Sequence, residues 1–290
     1  MTEEHEDDGS REHFFRCQDG LRLFYRGYGD PASSAIPVLC LSGLTRNSQD
    51  FAAVARRISN DGRRVYCLDY RGRGRSERDP AWRRYQPRTY VDDIRHLLIA
   101  ESLHRVAVIG TSLGAVLAMA MGAAMPTVLA GAVLNDAGPE ITPQAVAPIL
   151  AYLQDQAPLA GWPEVVERLR RHFPDNDQRS PEEWLRYAKR VYRRDDDGRI
   201  RPDWDPAIAR PLLRKNGQSA DLWPLYRSLR RFPVLVVRGA RSEILSESTL
   251  TRMTEGMPLV ATTTVAGVGH APTLSEPEAA AAIDAWLRRL

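Results

Sequence analysis

The chain lacks several features that would each point to a different class of protein. Its 290 residues contain no apolar run approaching the roughly 18 needed for a membrane span, and mean hydropathy is −0.39. No membrane partner is expected. Cysteine is scarce: Cys17, Cys40 and Cys67 are an odd count without metal-ligand spacing. That pattern speaks against a disulfide framework and against a zinc site, and it suits a reducing cytoplasm. Lysine is almost missing, since Lys189 and Lys215 are the only two among 40 basic residues. The arginines are scattered, with short clusters at 71–75, 193–194 and 230–231. A nucleic-acid binder would need a basic stripe with stacking aromatics, so no nucleic-acid partner is expected. The first eight residues are acidic and carry no apolar stretch, so they do not read as a secretory signal. A cytoplasmic location follows as the expectation.

A hydrophobic fraction of 43% in a chain this long can build one sizeable core, and the net charge is only +3. Residues 1–12 read as a disordered acidic tail. Phe14-Phe15-Arg16-Cys17 and Leu21-Arg22-Leu23-Phe24-Tyr25, separated by Asp19-Gly20, read as a hairpin. Short apolar runs follow at Val38-Leu39-Cys40-Leu41, Val65-Tyr66-Cys67-Leu68, Val106-Ala107-Val108-Ile109, Ala132-Val133-Leu134, Val234-Leu235-Val236-Val237 and Thr262-Thr263-Thr264-Val265. Segments with helical spacing lie between them, and a last helix spans 278–290. Strands alternating with helices predict an α/β fold, with a mostly parallel central sheet covered by helices on both faces. The stretch from about 138 to 224 lacks apolar strand runs and is rich in Trp, Pro and Arg. It reads as a helical insertion between two strands. The expected division is a core of 13–139 and 225–290, with an insertion at 140–224.

Gly110-Thr111-Ser112-Leu113-Gly114 directly follows a buried strand pattern and opens a helical one. This is the context in which G-x-S-x-G forms a nucleophile elbow. A serine on a sharp strand-to-helix turn needs glycines two residues away on either side, where side chains would strike neighbouring backbone. A serine hydroxyl also needs a base. His270, in Gly267-Val268-Gly269-His270-Ala271-Pro272 between the last strand and the last helix, is the best placed of six histidines.

With these residues in order the chain resembles an α/β-hydrolase of the Ser–acid–His type over roughly residues 14–290. Asp69-Tyr70-Arg71-Gly72-Arg73-Gly74-Arg75-Ser76 resembles the family's D-x-R-G-x-G-x-S loop after the fourth strand. Its G-x-G lacks the third glycine and the later acidic residue of a dinucleotide site, so it reads as a structural turn. The resemblance implies no cofactor and no metal. Its oxyanion hole would use the backbone amides of Leu113 and Leu44, the latter in Leu41-Ser42-Gly43-Leu44-Thr45, where Ser42 replaces the usual histidine. Arg46 and Asn47 would then point to the cleft as substrate contacts. For the acid, Glu243 occupies the family's usual place after the seventh strand, and Asp136 after the sixth is the alternative. The insertion would be a cap. Its aromatics, including Trp162, Trp184, Trp204, Trp223, Tyr152, Tyr187, Tyr192 and Tyr226, suit an apolar pocket, most of them packing cap against core.

The activity implied is cleavage of an ester or lactone of a small to medium organic acid through an acyl-enzyme. Hydrolysis of a carbon–carbon bond and cofactor-free perhydrolysis would use the same residues, and a low-turnover ligand sensor is the alternative of another class. Serine at the elbow argues against haloalkane dehalogenase and epoxide hydrolase chemistry. The expected partner is a small-molecule substrate, with a homodimer left open.

Overall fold

The computed structural model describes residues 9–174, 179–214 and 220–290. Residues 1–8 of the expected tail, and 175–178 and 215–219 of the expected insertion, lie outside these. The sheet has eight strands: β1 (Arg11–Arg16), β2 (Arg22–Tyr28), β3 (Val38–Leu41), β4 (Val65–Asp69), β5 (Val106–Thr111), β6 (Leu129–Asn135), β7 (Val234–Gly239) and β8 (Val260–Val265). Their order is β1-β2-β4-β3-β5-β6-β7-β8. From β4 to β8 every pairing is parallel, and only β1 and β2 join antiparallel. The hairpin turns at Gly20, whose φ of 83° suits a residue without a Cβ. It begins earlier than its sequence suggests. Arg11 and Glu12, assigned to the tail, pair with Gly27 and Arg26. Their polar side chains hid a strand whose inner face is built chiefly by Phe15, the one buried residue of β1.

Side-chain alternation along the central strands separates two cores. Leu39 and Leu41 of β3, with Val106 and Val108 of β5, face one side, where they meet α2 (Pro87–Ala100) and α3 (Leu113–Ala124). Val38, Cys40, Ala107 and Ile109 face the other, against α1 (Ala52–Asn60) and α7 (Pro277–Leu287). Burial on both faces explains why these strands read as unbroken apolar runs. All three cysteines are buried free thiols. No helix among the described residues is long and apolar enough to cross a membrane.

The chain leaves the sheet after β6 and returns before β7 through a short antiparallel pair, Glu140–Ile141 with Ala220–Asp221. Between them lie α4 (Pro143–Gln154), α5 (Trp162–His172) and α6 (Pro181–Val191). A capping box at Ser180 and Glu183 starts α6. The insertion is not purely helical. Tyr192–Arg194 and Ile200–Pro202 pair antiparallel around Gly198. These strands are too short and too charged to show an apolar period.

Candidate active site

β5 runs into α3 through Ser112, whose φ of 53° and ψ of −111° lie in a region that L-residues seldom occupy. The flanking glycines permit this. A Cβ at Gly110 would lie 2.2 Å from the carbonyl oxygen of Gly114, and one at Gly114 would lie 1.9 Å from that of Leu41. The turn lifts the Ser112 hydroxyl to the C-terminal edge of the sheet, at the N-terminus of α3.

His270 reaches the same edge from the loop after β8. Its Nε2 lies 3.1 Å from Ser112 Oγ, and its Nδ1 lies 2.7 Å from Oδ2 of Asp136. Asp136 is fully buried just beyond β6 with a φ of 53°. Its own amide donates to the Val237 carbonyl, and its Oδ1 accepts from the Gly239 amide at 2.9 Å. One carboxylate oxygen is thus fixed by backbone while the other faces the imidazole. With Asp136 behind it, Nδ1 carries the proton and Nε2 is free to accept the serine's.

The preferred acid, Glu243, is not brought to this group: its side chain is exposed in the loop after β7. The carboxylate on His270 is the alternative, Asp136. Sequence reading also passed over Asn135. It is buried, and its amide donates to Thr111 Oγ1 at 3.0 Å and to the Pro272 carbonyl at 2.9 Å. It therefore ties the histidine loop to β5.

The loop after β3 lies against the elbow, since a Cβ at Gly43 would be 3.8 Å from Ser112 Cβ. Leu44 lines the cavity beside Ser112, and Leu113 is the first residue of α3. Arg46 also lines it, with its guanidinium paired to Asp50 and 4.2 Å from the Tyr187 ring. Asn47 does not. It is buried, caps the short helix at Ser48–Phe51, and donates to the Arg190 carbonyl at 2.8 Å and to Asp203 at 3.2 Å. Its amide is used up in joining the insertion to the core. The loop 69–76 is a tight turn behind this one: Asp69 accepts from the amides of Ser48 and Arg75, and a Cβ at Gly74 would strike Asp69.

The cavity holds about 170 Å³. Thr111, Ser112, the loop after β3 and the histidine loop at 270–273 form its core side, and Ile149, Tyr152, Phe173, Arg179, Tyr187 and Arg190 of the insertion form the other. Of the insertion's aromatics, Tyr152, Phe173 and Tyr187 therefore reach it, whereas Trp184, Trp204 and Tyr192, like Tyr226 just beyond the insertion, are buried in packing. Arg179 and Arg190 carried no sequence signal, being two of many arginines.

The sequence profile described as the alpha/beta hydrolase family matches residues 38–283, which include the elbow, the buried aspartate and the histidine loop. The chain belongs to that family. The hydrolase is 32% identical over 265 residues to the 3-hydroxybutyrate-oligomer hydrolase of Cupriavidus necator, covering 88% of this chain and 89% of that one. It is 27% identical to the 2-(acetamidomethylene)succinate hydrolase of Mesorhizobium japonicum, covering 83% and 84%. A solved alpha/beta hydrolase from Novosphingobium aromaticivorans superposes with a TM-score of 0.90 at 40% identity, covering 97% of this chain and 99% of that one.

Proposed function

We propose that the protein is a serine hydrolase that cleaves a carboxylic ester or lactone of a small to medium organic acid. The observation that carries this reading is the unbroken chain Ser112 Oγ, His270 and Asp136, opening into a cavity. Ser112 attacks the carbonyl as His270 Nε2 takes its proton, and Asp136 stabilises the imidazolium that forms. The amides of Leu44 and Leu113 hold the oxyanion, aided by the N-terminal dipole of α3. The imidazolium protonates the departing alcohol. Water activated by the same histidine then releases the acid and restores Ser112. A cavity of about 170 Å³, below the roughly 300–1,000 Å³ of sites for drug-sized ligands, favours a small substrate. The likeness to a hydrolase named for 3-hydroxybutyrate oligomers favours an ester, the bond that joins a hydroxyl to a carboxyl in such a chain. A hydrogen-bonded histidine and acid behind the serine favour turnover over a sensor's passive binding.

The test is reaction with a fluorophosphonate, location of the adduct by peptide mass spectrometry, and steady-state hydrolysis of short aryl esters. Wild type should label on Ser112 and turn over continuously. Ser112→Ala and His270→Ala should each lose the adduct and at least about 10⁴-fold in kcat. A protein that neither labels nor turns over any aryl ester, or that gives one burst and stops, would overturn the reading.

A further inference from the structure

The charges lining the cavity are unbalanced. Arg46, Arg179 and Arg190 contribute three guanidinium groups, and Asp50 is the one carboxylate among the lining residues. Arg46 is already paired to Asp50. Neither Arg179 nor Arg190 makes an ion pair among the described residues. Arg179 Nη1 is buried without a hydrogen-bond partner there. The Arg179 guanidinium lies over an aromatic ring, 4.3 Å from the centre of Tyr187, a ring that Arg46 shares. An aromatic face attracts the cation but offers its N–H groups only weak N–H···π contacts in place of a carboxylate's oxygens. Burial and the neighbouring Arg46 charge hold the Arg179 pKa below its ordinary value. A half-buried guanidinium whose Nη1 is buried without a partner, and which feels Asp50 and Glu183 only through space, is a costly arrangement, and an anion arriving in the cavity would relieve it.

We propose that the substrate carries a carboxylate besides its scissile bond, and that Arg179 binds it, with Arg190 as a second positive charge. This rests on the hydrolytic reading of Ser112 and narrows it to monoesters of dicarboxylic acids or esters of hydroxy acids with a free acid end. A planar carboxylate matches the guanidinium fork, and placing it on the insertion leaves the reacting carbonyl to the core side.

Binding and turnover test this separately. Glutarate and its uncharged diamide are titrated calorimetrically into wild type and into the variants Arg179→Gln and Arg179→Lys, whose folding is checked by cooperative thermal melting. Hydrolysis of 4-nitrophenyl hydrogen glutarate is compared with that of 4-nitrophenyl pentanoate, corrected for the spontaneous rate. Wild type should bind glutarate at least about ten times more tightly than the diamide and should favour the anionic ester through KM. In R179Q that selectivity ratio should fall about 10- to 100-fold, the usual size of a charge-assisted hydrogen bond, and R179K should keep part of it. Equal binding of glutarate and diamide by wild type, or an unchanged ratio in folded R179Q, would overturn the proposal while leaving the hydrolase intact. Tighter binding of inorganic phosphate than of glutarate would also overturn it. Glutarate binding lost in R179Q, in a protein that hydrolyses neither ester, would uphold the anion site and reject the hydrolase.

Discussion

Asp136 and Glu243 both lie between Ser112 and His270 in the chain, and both follow strands that end near the serine. Their surroundings separate them. Asp136 is fully buried and takes a backbone hydrogen bond on one oxygen while the other faces His270. Glu243 is exposed. Asp136→Asn preserves size and removes the charge that opposes the imidazolium, and it allows the wrong histidine tautomer. It should lower kcat for an aryl ester by about 10⁴-fold. Glu243→Gln should stay within about twofold. A large loss in E243Q with little in D136N would reverse the assignment, and initial-rate kinetics on the pair decides it. The elbow and the histidine were legible in the sequence because glycine flanks and chain order are local signals. The acid was not, because either carboxylate satisfies the order and only burial tells them apart. Asn47 misled for a similar reason: adjacency to Arg46 said nothing of its amide turning to Arg190 and Asp203.

Among the elements, the contact of α3 with β3 sets the position of the elbow. The Gly114 α-carbon comes so close to β3 that a Cβ there would lie 1.9 Å from the Leu41 carbonyl oxygen, a backbone atom that cannot rotate away. Gly114→Ala should therefore destabilise the fold by about 3 kcal/mol or more, at the upper end of overpacking effects, and shift Ser112 enough to remove activity. Gly161→Ala is the comparison: the added carbon meets only Pro163 at 3.4 Å, and the change should cost no more than about 1 kcal/mol. Denaturant melts of the two variants measure this. A melt of G114A like that of wild type would mean that helix and strand are not locked together. The central strands were read almost as they stand because both faces are apolar. The insertion's hairpin at 192–202 was missed because Ile200 is the one aliphatic residue in its second strand. Tertiary contact makes it a strand: Leu159 and Ile200 exchange backbone hydrogen bonds.

Across the whole molecule, the insertion is held over the core by a seam in which titration matters. The Gly74 amide donates to the Asp203 carbonyl, the Asp205 amide to that of Gly72, and Asn47 to the Asp203 side chain. Asp203, about 15% exposed, has its pKa pushed up to about 7 by burial first and then by the nearby charge of Asp69, against partial relief from Arg193, Asn47 and Arg78. Burial also raises the Asp69 pKa. In the unfolded chain Asp203 returns to the ordinary aspartate range, near 4. The folded state therefore binds the extra proton between about pH 4 and pH 7, and in that window this group's contribution to stability falls as pH rises. Above about pH 7 the carboxylate is ionised in both states and the loss is complete. Asp203→Asn keeps an acceptor for Asn47 and cannot ionise, so the variant should gain on wild type as pH rises from 4.5 to 8. The expected swing is on the order of 2 kcal/mol, a relative Tm change of about 4–8 °C in a chain of this size. The difference between the two melting curves is the quantity to measure, since carboxylates that do not interact with Asp203 titrate equally in both proteins and cancel, leaving Asp203 and the Asp69 coupled to it. A difference independent of pH would mean that Asp203 is ionised throughout and that the seam carries a permanent charge. A widening difference would make the grip of the insertion on the cavity strongest at mildly acidic pH.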